Sequence, residues 1–428
     1  MNDRFDVIEG ALSIRDGRIV SIGKPPAERH DTIIDAEGDY LLPGFIQTHI
    51  HLCQTLFRGY ADDLRLMDWL RTRIWPMEAA HTPASLRAAA RLASLELLLS
   101  GTTTILTMET VHETDAVFEA VTDSGIRATI GKCMMDAPDA GAPARLHEET
   151  RRSIDESVAL HRRWHDTSGG RIRAAFAPRF AVSCSRNLLE GVASLSRDEH
   201  ALVHIHASEQ REEIDLVRSA TGRSNIEYLQ DVGLASPRLN AAHCVWVDER
   251  EVALLAEHDV KVTHCPGSNL KLGSGLAPAA EMIARGINVS LGADGAACNN
   301  HLHMFGEMRL AATLQALRHQ PGALNARQAL WMATRNGARA VGLDQEIGSI
   351  DVGKRADLIV IDRRVAHIAP DPDPFSTIVY AAGPSDVRMT MVDGDVLVSN
   401  GLPVRLDAGS IRDDAQREAR ALALRAAL

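Results

Sequence analysis

Two histidines one residue apart, His49 and His51, close the run Gly44-Phe45-Ile46-Gln47-Thr48, whose composition predicts a β-strand. Alternation along a strand sends both rings to one face, where two imidazoles reach a single ion. Further groups stand at the ends of comparable runs. His206 follows Leu202-Val203-His204-Ile205, His243 follows Leu239-Asn240-Ala241-Ala242, and His264 follows Val260-Lys261-Val262-Thr263. Asp294 follows Asn288-Val289-Ser290-Leu291, within Gly292-Ala293-Asp294-Gly295. Alone, each reads as a satisfied core histidine or a turn aspartate. Their collection at strand ends points to a metal, and histidines with a carboxylate suit Zn2+, with Fe2+ as the alternative. Such an ion lowers the pKa of water towards ~7, which makes hydroxide available at neutral pH.

The elements that must position these groups follow from the same runs. Three more candidate strands, Thr102 to Thr107, Arg127 to Ile130 and Ile172 to Phe176, bring the total to eight, with helix-like stretches between them. The clearest helix runs from Thr82 to Ser100, with Thr82 as N-cap, Pro83 at the first helical position and Gly101 after the end. This alternation over ~300 residues is the arithmetic of a (β/α)8 barrel, whose strand ends converge at one mouth. A doubly wound open sheet is the competing α/β architecture, but GxGxxG, Walker A and GxSxG are all missing. Both chain ends read as β. Ala11 to Ile14 and Arg18 to Ile22 flank Arg15-Asp16-Gly17, and short β segments with Gly and Asp turns recur from Gly348 to Val398. The expected organisation is a β domain from 1–44 and 347–407, a barrel over 45–346, and a terminal helix over 408–428. His204 is expected deeper in the barrel interior. His301 and His303 read as the start of the next helix, where their spacing does not converge, and His147 lacks a partner four residues on.

Composition narrows the function classes. In 428 residues, 46 Lys+Arg stand against 57 Asp+Glu, a formal charge of -11 that argues against nucleic acid as a partner. With 45% hydrophobic and 24% charged residues, the chain reads as an ordinary globular one. No apolar run approaches the ~20 residues that span a bilayer, and Met1-Asn2-Asp3-Arg4 has no signal-like apolar segment behind it. Six cysteines without a CxxC read as buried free thiols, so the expected compartment is cytoplasmic and no membrane partner is implied.

The set Pro43 to His51, His206-Ala207-Ser208-Glu209, Ala242-His243-Cys244, His264-Cys265-Pro266-Gly267-Ser268-Asn269 and Leu291 to Gly295 resembles the amidohydrolase superfamily. Within it, the chain looks like the branch of adenosine-type, guanine and triazine aminohydrolases. The resemblance implies a distorted (β/α)8 TIM barrel beside a small β-sandwich, and one divalent metal held by His49, His51, His206 and Asp294. Relatives with two metals use a lysine after strand four, and Ala174 to Ser185 contains none. No Pro-Cys-x-x-Cys is present, which excludes the other zinc deaminase design. The resemblance makes Glu209 a proton shuttle between water and a ring nitrogen, has His243 stabilise the adduct, and lets Asp294 pass a proton to departing ammonia. Dimers or tetramers are common among such enzymes, so a homo-oligomer is expected.

For the substrate, Glu78 stands where S-adenosylhomocysteine and methylthioadenosine deaminases place a glutamate that holds both ribose hydroxyls, which is sound chemistry for a carboxylate. Trp69 and Trp75 are candidates to cover a base or 5′ substituent. Two departures pull towards oxopurines. Ala177-Pro178-Arg179-Phe180 replaces the usual histidine motif with one similar to guanine deaminases, and Gln54 in His51-Leu52-Cys53-Gln54 resembles their purine-reading amide. Lys132 and Arg145 align with arginines that grip a homocysteine carboxylate, although lysine lacks the bidentate fork. The expected reaction is deamination of a 5′-modified adenosine: 5′-deoxyadenosine, methylthioadenosine or S-adenosylhomocysteine. The alternatives are a free-base aminohydrolase for guanine, another oxopurine, a pterin or a triazine, and, remotely, a non-catalytic barrel scaffold.

Overall fold

An Asp-Gly turn folds the amino-terminal segment into a hairpin, β1 (Ala11–Arg15) against β2 (Arg18–Gly23), with Asp16 and Gly17 both at positive φ. The structure is a computed structural model that describes residues 2, 4, 6–23, 31–137 and 141–428. The stretch 24–30 of the expected 1–44 segment lies outside the described residues. After β3 (Tyr40–Pro43) come eight strands: β4 (Phe45–Ile50), β5 (Thr102–Met108), β6 (Arg127–Met134), β7 (Ile172–Pro178), β8 (Val203–Ala207), β9 (Leu239–His243), β10 (Lys261–His264) and β11 (Val289–Leu291). They pair in parallel and in sequence order, β4 to β11.

The ring closes between β11 and β4 through side chains and one loop. Thr48 Oγ1 bonds Ser290 Oγ at 2.7 Å and donates to the Leu291 carbonyl at 3.2 Å, while the Asp294 N–H donates to the His49 carbonyl at 3.1 Å. That last bond ties one expected metal ligand to another. The structure is therefore a (β/α)8 barrel, nearly closed, with helices on its outside. The helix Pro83–Leu99 starts where its punctuation predicts, with Thr82 Oγ1 accepting from the Ser85 N–H. The pair His301 and His303 departs slightly from expectation. Both precede the helix Met304–Arg318, and His303 Nδ1 caps it by accepting from the Gly306 N–H. Among the described residues, no helix is long and apolar enough to cross a membrane.

A separate antiparallel sheet joins the two chain ends: β3 pairs with β12 (Leu358–Ile361), followed by β13 (Val387–Val392), β14 (Asp395–Ser399) and β15 (Leu402–Pro403). A terminal helix, Ala408–Arg425, closes the chain. One buried ion-pair cluster fastens the sheet to the barrel. Arg127, at the start of β6, donates through Nε and Nη2 to Asp357 at 2.8 and 3.0 Å, and through Nη2 to Asp393 at 2.7 Å. Removing one partner of a buried pair leaves charge without compensation, so Arg127→Met is expected to cost about 3–5 kcal/mol of stability. Denaturant unfolding measures this directly.

Candidate active site

The strand ends bring four of the expected groups to one point. His49 and His51 come from β4, His206 from β8, and Asp294 from the loop after β11, where a left-handed φ of 63° turns its carboxylate inward. Asp294 Oδ1 lies 3.3 Å from His49 Nε2 and 3.2 Å from His51 Nε2, and His206 Nε2 lies 3.2 Å from His51 Nε2. The outer ring nitrogens are all engaged: His51 Nδ1 with the Met108 carbonyl, His206 Nδ1 with the Arg179 carbonyl and His49 Nδ1 with His204 Nε2, each at 2.7 Å. These bonds fix the tautomers so that the Nε2 atoms face the convergence point. His49 Nε2 is buried and has no hydrogen-bond partner there.

Electrostatics agree with the geometry. Burial pushes His49 down to about 4 and His206 well below the usual histidine range, which keeps both rings in the neutral, ligand-competent form. Burial alone would raise Asp294, but His49 and His51 beside it hold the carboxyl well below the ordinary range. Burial alone would lower His51, but Asp294 holds it up in the absence of an ion, and three imidazole nitrogens with one carboxylate, buried together, fit a divalent metal. His264 stands apart from this set: its ring is buried and burial pushes it down to about 3.

Gly292 belongs to the same construction. A Cβ there would stand 2.5 Å from the His49 carbonyl oxygen and 2.9 Å from the His49 Cβ. Gly292→Ala must therefore displace His49, and metal affinity is expected to fall about 10–100-fold, as when an outer-layer partner is lost. Metal content after dialysis against graded chelator reads this out.

Beside the cluster stand the groups that could move protons. Glu209 is buried, its Oε2 lies 3.7 Å from His243 Nε2, and burial pushes its carboxyl up to about 7. The N–H groups of Ser208 and Glu209 donate to the Glu213 carboxylate at 3.2 and 2.8 Å, which holds the loop that carries Glu209. His243 Nδ1 meets Asn269 Oδ1 at 2.9 Å, so Nε2 faces the pocket, 3.9 Å from Asp294 Oδ2. Ser268 Oγ donates to that same oxygen at 2.7 Å. On the opposite side, Glu109 accepts from the N–H groups of Leu52 and Cys53 and so fixes the turn leaving His51.

Sequence reasoning named the residues that converge here but not the layer that holds them: His204, Glu213, Asn269, Ser268 and Glu109. Two signals were available: Ser268 and Asn269 lie inside the motif that follows His264, and His204 shares the facing side of β8 with His206.

Residues 40–397 match the amidohydrolase family. The chain belongs to that family. It is 39% identical over 424 residues to a 5′-deoxyadenosine deaminase of Methanosarcina mazei, covering 99% of this chain and 96% of the relative. It is also 41% identical over 405 residues to a 5-methylthioadenosine/S-adenosylhomocysteine deaminase of Symbiobacterium thermophilum, covering 93% and 91%. Among solved structures it is similar to an adenosine deaminase from Xanthomonas campestris with bound zinc, at TM-score 0.87 and 32% identity over 96% of this chain and 93% of that one.

The remaining wall of this amidohydrolase's pocket differs from expectation. The cavity against His51, His206 and Asp294 measures about 10 Å³, and Gln54, Arg179, Trp69 and Glu209 also line it. Glu78 stands behind Gln54 and Arg179. Its carboxylate takes both Nη groups of Arg179, and Gln54 Nε2 donates to its Oε1 at 3.1 Å. The two alternatives that the sequence set against each other, Glu78 or Arg179 with Gln54, are thus one bonded cluster.

Lys132 also departs from expectation. It points out of β6, where Nζ pairs at 2.6 Å with Glu148, just ahead of the helix Thr150–Trp164, so strand alternation turns it away from the barrel interior. Arg145 is half exposed, 4.0 Å from Glu113. Trp75 lines a second cavity of about 460 Å³ that shares Leu66, Leu70 and Phe180 with the first.

Proposed function

We propose that this amidohydrolase is a zinc-dependent deaminase of purine nucleosides that carry a small uncharged 5′ group, releasing ammonia and the inosine analogue. The observation that carries the reading is Glu209, a buried carboxyl poised near neutrality beside the metal cluster and facing His243. The names of the relatives support the nucleoside class, and the zinc in the related adenosine deaminase supports the metal. His49, His51, His206 and Asp294 would hold the ion, which supplies an acidified water and Lewis-acid polarisation at neutral pH.

The protein's own groups account for the proton traffic. Water adds its oxygen to the ring carbon that bears the amino group. Glu209 takes one proton from that water and delivers it to the adjacent ring nitrogen. Asp294 carries the second proton to the amino group, the C–N bond breaks, and ammonia leaves as the ring carbonyl forms. Nε2 of His243, held by Asn269, faces the oxygen as charge develops on it. Leu66, Trp69, Leu70 and Leu272 surround the reacting centre with apolar surface, which excludes bulk water and strengthens each of these interactions.

The 460 Å³ cavity would receive the 5′ group. It is lined chiefly by apolar side chains, and among the described residues that line it there is neither lysine nor arginine to meet a homocysteine carboxylate. Hydrogen or methylthio at the 5′ position suits it. Six free, buried thiols suit a cytoplasmic enzyme.

Ammonia release from zinc-loaded protein is measured against 5′-deoxyadenosine, methylthioadenosine, adenosylhomocysteine, adenosine and guanine. The expected order puts the first two ahead of adenosylhomocysteine. Because Arg179 and Gln54 line the catalytic cavity, a free oxopurine is the second reading, and turnover of guanine alone would replace the first.

A further inference from the structure

Glu109 and Glu213 each brace one segment of the barrel mouth from behind, through backbone N–H groups of the turn after His51 and of the loop of Glu209. A further buried carboxylate, Glu307, joins two segments. It lies fully buried in the first turn of the helix Met304–Arg318. Its Oε2 accepts from the Gly267 N–H at 3.0 Å, and its Oε1 accepts from Asn299 Nδ2 at 2.8 Å. Asn299 Nδ2 also donates to the Ala293 carbonyl at 2.7 Å, so both amide hydrogens are used. Each end of this bridge adjoins the chemistry. Gly267 precedes Ser268, whose Oγ holds Asp294 Oδ2, and Asn269, whose Oδ1 meets His243 Nδ1. Ala293 precedes Asp294 itself.

The bridge is tightly built. A Cβ on Gly267 would stand 2.6 Å from both Asn299 Oδ1 and Glu307 Oε1, so only glycine leaves room for the pair. The Gly267 N–H is one of the open donors at the start of the helix Pro266–Lys271, where Cys265 supplies no side-chain cap. Neither partner of Glu307 is a cation, and burial pushes its carboxyl up to about 7. A carboxylate buried without a cation opposes folding, which argues for a role beyond holding the fold.

We propose that Glu307 is a positioning residue that fixes Asp294 and His243 relative to each other, by tying the segment after β10 to the loop after β11. This rests on the reading of the site as a purine nucleoside deaminase, in which those two groups serve the departing ammonia and the developing oxyanion. They belong to different strand ends, with His243 Nε2 3.9 Å from Asp294 Oδ2. The centre of the bridge must be an acceptor only. A glutamine offers one acceptor and one donor, so either Gly267 or Asn299 then faces a donor and the bridge opens on that side.

Wild-type and Glu307→Gln proteins are compared for ammonia release from 5′-deoxyadenosine at saturating Zn2+, with Zn2+ affinity measured against a competing chelator and Tm on both. The expected result is a kcat lower by about 10–100-fold, the scale on which small misplacements of reacting groups act. KM should stay within about threefold, because the interactions lost are those made in the transition state. Tm should hold or rise, since an amide is easier to bury than a carboxylate. A merely structural brace would do the reverse, lowering Tm and leaving kcat of the folded fraction intact.

Asn299→Ser cuts the same bridge at its other joint and should reproduce the kcat loss. If Glu307→Gln does not fold, it decides alone by the same reading. A kcat within about threefold of wild type overturns the proposal. So does a loss seen only below saturating Zn2+, which would place the effect in metal retention. A wild-type enzyme that deaminates no purine nucleoside overturns the function reading itself, and this inference with it, whereas an active wild type beside an equally active variant overturns the inference alone.

Discussion

Glu209→Gln is expected to lower kcat/KM by about 10³-fold, within the ~10²–10⁴ that a positioned acid–base group contributes. The substitution keeps shape and volume, so what it removes is the ability to carry a proton. Glu209 is well suited to that role. It is buried, it has a single weak hydroxyl contact in Ser274 at 3.5 Å, and its loop is tied by two N–H bonds to Glu213. Burial pushes the carboxyl up to about 7, where taking and giving a proton cost similar amounts. At about 1.4 kcal/mol per tenfold, the expected loss is about 4 kcal/mol of transition-state stabilisation. Metal content should not change, because the carboxylate belongs to neither group of converging donors around His49, whether His49 with His51 and Asp294 or His49 with His206 and His243. A variant that retains metal and loses less than about tenfold would remove Glu209 from the proton path.

The barrel and the convergence of the candidate ligands were legible because both follow from short-range periodicity. A run such as Leu239-Asn240-Ala241-Ala242 predicts a strand, and a barrel places every strand's carboxyl end at one mouth, so His206, His243 and Asp294 converge without any knowledge of their contacts. The supporting layer depends on which strands are neighbours across the barrel. His204 reaches His49 across 155 positions of sequence, and no local pattern records that meeting.

Lys132 shows a reading that alternation alone could have corrected. Its neighbour Cys133 approaches Arg179 at the mouth, which sends Lys132 to the opposite face of β6. The Glu78–Arg179 pair lay out of reach for another reason. It joins the short helix Trp75–Ala79 to the residue that follows β7, 101 positions away, and each residue alone had a plausible partner in a substrate.

Stripping the divalent ion is expected to abolish turnover and to lower the unfolding midpoint, and Zn2+ should restore both where Mg2+ does not. Three imidazoles and one carboxylate form a set for zinc-like ions, whereas Mg2+ demands oxygen ligands in octahedral geometry. The stability effect follows from linkage. An ion held at 1,000 times its Kd contributes about 4 kcal/mol to the folded state, because the converging ligands exist only there. The restoring ion must also find its ligands already aimed, and this is where the layer around them acts. His204→Ala removes the partner of His49 Nδ1 and leaves that ring free to turn, while Asp294, His51 and His206 keep their own supports. Metal affinity should then fall about 10–100-fold, while kcat at saturating Zn2+ recovers to near the wild-type value. Titrating Zn2+ into the stripped variant against a competing chelator separates the two quantities. If kcat stayed low at saturating metal, His204 would have a part in the chemistry itself and not only in aiming His49.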